Sequence, residues 1–163
     1  MPYDCTRVVR DGDGLPSATV TLRPPDGIAI STATMISHGL LPFALTHGPA
    51  AVRRLAWLKR TYDELERRAA GDARHRHVHM MAVRPDLQGR GAGGRLLAHA
   101  LAAADASGPR VPIVLTTHRA RNVTFYRRAG FDVVDERWLY PPGGNAYGVW
   151  LMRRVRPSDS AHG

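Results

Sequence analysis

The spacing of apolar positions changes several times along the chain, and each change marks an element. Thr6-Arg7-Val8-Val9 is a short β-prone run, and Ala18-Thr19-Val20-Thr21-Leu22 alternates with branched residues. Asp11-Gly12-Asp13-Gly14 lies between them, and its turn chemistry joins the two as a hairpin. Pro24-Pro25-Asp26-Gly27 ends the second strand. Residues 28–48 are apolar and small, interrupted by Gly39, Pro42 and Gly48, and read as one or two broken helices. From Pro49 the spacing turns helical. Val52, Leu55, Leu58, Tyr62 and Leu65 recur every three or four residues until Gly71. The opposite side carries Arg53, Arg54, Lys59, Arg60, Arg67 and Arg68, which suits a solvated helix face or a nucleic-acid stripe.

The second half alternates strand and helix. His77–Val83 reads as a strand ended by Arg84-Pro85-Asp86, and a glycine-rich loop follows at 88–94. A helix is predicted from about Gly93 to Ser107, with Leu96, Leu97, Ala100, Leu101 and Ala104 inward and Gly108-Pro109 as its stop. Val111–Thr117 reads as a buried strand, and Asn122–Ala129 as a short helix closed by Gly130. Phe131–Tyr140 and Ala146–Arg154 pair around the turn at 141–145. The polar tail from Pro157 is expected to be disordered. No internal repeat is visible, so residues 1–156 are expected to form one domain, with 157–163 as tail.

Composition narrows the class. The chain has 163 residues, 44% hydrophobic and 23% charged, which excludes a disordered or low-complexity protein. No stretch approaches the roughly 18 apolar residues of a membrane span. The opening MPYDCTRVVRDGDG has no apolar core, so neither a secretory signal nor a membrane partner is expected. The single cysteine, Cys5, excludes an internal disulfide and a Cys-rich zinc site, and a reducing cytoplasm is the expected home. The formal net charge is +9, and of the lysines and arginines all but Lys59 are arginines. A surface of this sign attracts polyanions: nucleic acid, an anionic membrane, or a small phosphorylated ligand.

The glycine-rich loop favours the last of these. Strand, glycine loop and helix in that order make an anion site, because a helix N-terminus has unpaired N–H groups and glycines let the main chain approach a ligand. The phosphate loop of nucleotide hydrolases needs a lysine that is missing here. The dinucleotide fingerprint fits Gly89-Arg90-Gly91 only at its start. Gln/Arg-x-x-Gly-x-Gly/Ala fits better, as Gln88-Gly89-Arg90-Gly91-Ala92-Gly93, preceded by Val83-x-Pro85-x-x-Gln88. The segment 77–97 thereby resembles the acyl-CoA-binding motif of the GNAT superfamily of N-acetyltransferases. A second block, Arg121-Asn122-Val123-Thr124-Phe125-Tyr126-Arg127-Arg128-Ala129-Gly130-Phe131, is similar to the tyrosine helix of the puromycin-acetyltransferase-like branch. Leu22-Arg23-Pro24-Pro25 and the ending Trp150-Leu151-Met152-Arg153-Arg154 are similar to that branch too.

The resemblance implies an α/β (α+β) fold with a mixed, mostly antiparallel central sheet flanked by helices. It implies acetyl-CoA as co-substrate, with no metal, and direct transfer to a primary amine in a ternary complex. Gln88, Gly89, Arg90, Gly91, Ala92, Gly93, Gly94 and Arg95 would hold the pyrophosphate. Met81, Ala82 and Val83 would pair with the pantetheine arm, provided that their strand splays from its neighbour. Asn122 would bond that arm or cap its helix. Tyr126 would protonate the leaving thiolate, or else simply pack beside Phe125 and Phe131. Strand alternation puts His77, His79, Met81 and Val83 on one face. His77-Val78-His79-Met80-Met81-Ala82-Val83 closely resembles a strand of arylalkylamine N-acetyltransferases whose paired histidines line the amine channel. Position 77 also coincides with the catalytic glutamate of histone-type members. Imidazole titrates near about 6.5, a suitable range for a base, and the pair reads equally as surface histidines.

Two departures from the family stand out. Leu115-Thr116-Thr117 lacks the glutamate that relatives carry there. The usual strand and two helices ahead of the hairpin are also missing, so residues 28–70 are expected to replace them, or a homodimer to complete the fold. The competing readings are a degenerate, non-catalytic acyl-CoA-binding module and a basic nucleic-acid-binding domain, the latter without any recognisable motif. A small-molecule amine is the expected partner, since a chain of charge +9 repels basic protein tails.

Overall fold

A computed structural model describes residues 5–25, 39, 41–107 and 110–155. Six strands form one open sheet: β1 (Thr6–Arg10), β2 (Pro16–Arg23), β3 (Arg76–Val83), β4 (Ile113–Thr117), β5 (Asp132–Leu139) and β6 (Tyr147–Arg154). Their order across the sheet is β1-β2-β3-β4-β6-β5. All neighbours are antiparallel except β3 and β4. Among the described residues three α-helices flank it: α1 (Leu41–Ala70), α2 (Ala92–Ala106) and α3 (Ala120–Arg128). This is the mixed, mostly antiparallel α/β architecture expected from the sequence.

The two faces carry separate cores. On one, Leu96, Leu97, Ala100, Leu101 and Ala104 of α2 and Val123 of α3 pack on Val20, Leu22, Val78, Ile113 and Leu115. On the other, Leu65, Ala69 and Ala70 of α1 pack on Val114, Leu139, Val149 and Leu151. β4 feeds both cores, Ile113 and Leu115 to one and Val114 to the other. That is why its sequence is a continuous apolar run rather than an alternation.

Helix α1 departs in part from its predicted stripe. Its two segments meet at Gly48 and Pro49, and only the C-terminal part rests on β4 and β6. Tyr62 and Leu65 are inward as expected, but Leu55 is exposed, while Trp57, which the spacing did not select, is half-buried against the sheet. Residues 41–70 thus cover the face opposite α2 and α3. The rest of the predicted broken helices, at 28–38 and 40, lies outside the described residues, as do Gly108-Pro109 and the tail from 157.

Candidate active site

Strands β3 and β4 run parallel but pair over only two residues, Arg76 with Ile113 and His77 with Val114. Beyond this point they diverge, and among the described residues the β4-facing edge of Val78–Val83 has no strand partner. The fork that the motifs required is therefore present, and Met81, Ala82 and Val83 lie along one of its arms. The arm is joined to the glycine loop by Gln88, whose Nε2 donates to the Val83 carbonyl at 3.0 Å. Gln88 acts here as a fastener of the loop through its side chain.

The loop then opens α2. Gly91 is the N-cap in a left-handed conformation at φ 78, and among the described residues no side chain caps the first-turn N–H groups. Gly93 sits against the fork, where a Cβ would come within 3.0 Å of Val83 Cγ2 and 3.1 Å of Met81 Cε. Glycine there lets the helix start lie directly on the β3 arm. A groove of about 500 Å³ runs from this point between α2 and α3, bordered by Gly91, Gly94, Ala98, Phe125, Arg128 and Arg154. Its size is that of a small-ligand site, commonly ~300–1,000 Å³. Arg90 and Arg95 flank its glycine end, with Arg95 Nη1 3.4 Å from the Arg90 carbonyl. At the far end Arg154 makes a two-pronged contact with Asp105, at 2.8 and 3.2 Å. Uncapped N–H groups, guanidinium groups and an apolar floor together fit an elongated anionic ligand.

Tyr126 lies on α3, packed edge-on against Phe125 and Phe131 at ring separations of 5.1 and 5.9 Å. Burial pushes its phenol up from the ordinary value, so it keeps its proton through the neutral range. Asn122 is one turn earlier, and its Nδ2 donates to Thr117 Oγ1 at 3.1 Å, tying α3 to the end of β4. It does not cap the helix, which begins at Ala120 with Arg119 as N-cap.

The histidine strand corrects the simple alternation. Thr21 is opposite Met80 and Leu22 opposite Val78, so His79 is an extra residue in β3. The bulge reverses the alternation beyond it. Met81 and Val83 consequently pack with Val78 on the α2 face, whereas His77 points to α1. The four residues do not share one face. His77 and His79 nevertheless stay together, their rings edge-to-face at 5.8 Å. Burial, helped by His77 and Arg23, lowers the pKa of His79 below the ordinary imidazole value.

Behind these rings is Glu66 of α1, a residue that lies in neither motif. Its carboxylate is 3.0 Å from His77 Nδ1, 3.1 Å from His75 Nε2 and 3.6 Å from Arg23 Nη1. Burial alone would raise its pKa, but His77, His75 and Arg23 outweigh that and bring it down to about 2. One turn earlier on α1, the Tyr62 hydroxyl is 2.9 Å from His118 Nε2, just past β4, and 3.4 Å from the Tyr147 hydroxyl. Tyr62 and Glu66 thus bring α1 to both sides of the fork, on the face away from the groove. The one available signal was a glutamate four residues after Tyr62, flanked by the buried Leu65.

With this geometry in view, the comparisons with known proteins are consistent. Residues 56–133 match the family model described as an acetyltransferase (GNAT) domain. That stretch includes the C-terminal part of α1, the fork, the loop and the tyrosine helix. Similar solved structures include a Drosophila melanogaster polyamine N-acetyltransferase that forms N-acetylagmatine, at TM-score 0.59 and 17% identity over 95% of this chain and 76% of that one. An agmatine N-acetyltransferase gives 0.55 at 16% over 93% and 77%. An acetyltransferase from Bacillus cereus ATCC 14579 gives 0.52 at 15% over 91% and 70%. At such identities the likeness is one of fold. No protein of curated function matches the chain in sequence. Among the described residues, no helix is long and apolar enough to cross a membrane.

Proposed function

We propose that this protein transfers an acetyl group from acetyl-CoA to the primary amine of a small molecule, by direct attack within a ternary complex. The observation that carries the reading is the fork between β3 and β4, with a glycine loop and uncapped helix on one side and a histidine pair on the other. The main-chain N–H groups of 89–94, with Arg90 and Arg95, would hold the pyrophosphate. The free edge of Met81, Ala82 and Val83 would align the pantetheine arm, and Asn122 holds α3 and its tyrosine at the arm's other flank.

The chemistry then divides between two groups. An ammonium must lose its proton before it can attack, and a departing thiolate must gain one. His79, exposed and biased toward its neutral form, and His77 behind it would take the first proton, directly or through water. Tyr126 would give the second.

A pH series tests the base. A histidine must be neutral to accept, so log(kcat/KM) is expected to rise with pH and then level off. If His79 is the acceptor, the rise falls below the ordinary imidazole range, because burial, His77 and Arg23 disfavour its charged form. Replacing both histidines with Gln should remove this limb and lower the rate near neutral pH. The loss should shrink at high pH, where more amine is already neutral. An unaltered profile in the folded double variant would leave Tyr126 as the one catalytic side chain.

A further inference from the structure

We infer that Glu66 is the positioning residue for the histidine pair, fixing which nitrogen of His77 carries the proton. This rests on the acetyl-transfer reading above and adds a member from α1 that neither motif contains.

His77 is nearly enclosed, with 12% of its side chain accessible, and its Nδ1 is buried. The polar atom placed to satisfy that nitrogen is Glu66 Oε2 at 3.0 Å, off the line of an ideal hydrogen bond, so a small rotation would straighten the contact. A carboxylate in this position accepts only from N–H. It therefore holds the proton on Nδ1 and leaves Nε2 with the lone pair. The same negative charge steadies the imidazolium formed when a proton arrives, which is the logic by which a buried acid orients a catalytic histidine.

The surroundings keep Glu66 in that role. Arg23 approaches from β2, His75 from the turn before β3, and His77 and His79 from β3 itself. These four groups are all basic, so among the described residues the carboxylate is held ionised without a competing acid. Helix α1 carries Glu66 at its packed end, next to the buried Leu65 and one turn before Ala69 and Ala70. The carboxylate is thus set on a fixed element rather than on a loop.

Two measurements test this. Nitrogen-15 spectra of histidine-labelled protein report the tautomer of His77 without any ligand. The wild type should show the proton on Nδ1, and in Glu66→Gln that preference should weaken, because an amide can donate as well as accept. The second measurement is the pH dependence of kcat/KM for acetylation of agmatine, spermidine or 2-phenylethylamine, whichever is turned over fastest. Glu66→Gln should lower kcat/KM about tenfold and move the acid limb to lower pH, leaving the KM for acetyl-CoA unchanged. A wild-type Nε2–H tautomer overturns the inference, and it does so even if Glu66→Gln does not fold. So does an unmoved limb in Glu66→Gln when His77→Gln/His79→Gln has lost it, and that result spares the histidine base. If the limb survives in the histidine double variant, the base assignment fails and the role of Glu66 fails with it.

Discussion

Tyr126→Phe is expected to lower turnover by about 10²-fold while leaving the fold and the affinity for acetyl-CoA intact. The phenol is partly buried between Phe125 and Phe131, and burial keeps it protonated. It can therefore serve as an acid throughout the neutral and mildly alkaline range. Loss of one hydroxyl removes the donor to the leaving thiolate and leaves the ring packing in place. If Tyr126 served only the core, the change would be close to neutral, because among the described residues no side chain hydrogen-bonds its hydroxyl. Release of free thiol measures turnover, and calorimetry measures cofactor affinity. Turnover within twofold of wild type, with unchanged affinity, would return Tyr126 to a packing role.

Gly94→Glu is expected to weaken acetyl-CoA binding at least tenfold, or ~1.4 kcal/mol, without loss of stability. Gly94 lies in the first turn of α2, beside the groove, and a Cβ there meets nothing within 4 Å. A carboxylate in a first turn also suits the helix dipole, so Tm should hold or rise slightly. The same charge would stand where the pyrophosphate is proposed to lie. Gly91→Glu is a poorer probe, because Gly91 is left-handed and a Cβ would come within 3.0 Å of Arg95 Nη1. Gly94→Ala, which adds no charge, should bind nearly normally. Equal affinity of Gly94→Glu and wild type would dismiss the loop as the anion site.

The parts of the molecule legible in its sequence are those set by local periodicity. The inward face of α2 follows a single helical stripe, and Leu96, Leu97, Ala100, Leu101 and Ala104 are all buried as the spacing requires. The glycine loop was legible because its geometry depends on residues without side chains. The bulge at His79 was not, because it depends on how β3 registers with β2, a non-local pairing that no window along the chain contains. One extra residue was enough to send Met81 and Val83 to the opposite face from His77. Leu55 was misplaced for a similar reason. Its spacing is helical, but α1 reaches the sheet only with its C-terminal part, so periodicity there exceeds burial. Glu66 was hidden by its own type, since a glutamate on an arginine-rich helix reads as surface charge until the partners that surround it are known. Gln88 and Asn122 were assigned to the cofactor by resemblance. In the structure their side chains also hold Val83 and Thr117, shaping the site from within the protein.

The central claim is tested most directly by mixing the purified protein with acetyl-CoA and agmatine, spermidine or 2-phenylethylamine, and quantifying both products by mass spectrometry. The account predicts acetylated amine and free CoA in equal amounts from at least one acceptor, with the yield largely lost in Tyr126→Phe. Tight binding of acetyl-CoA with no acetylated amine from these or a wider set of primary amines would contradict it, and would assign the fork to an acyl-CoA-binding module without transfer.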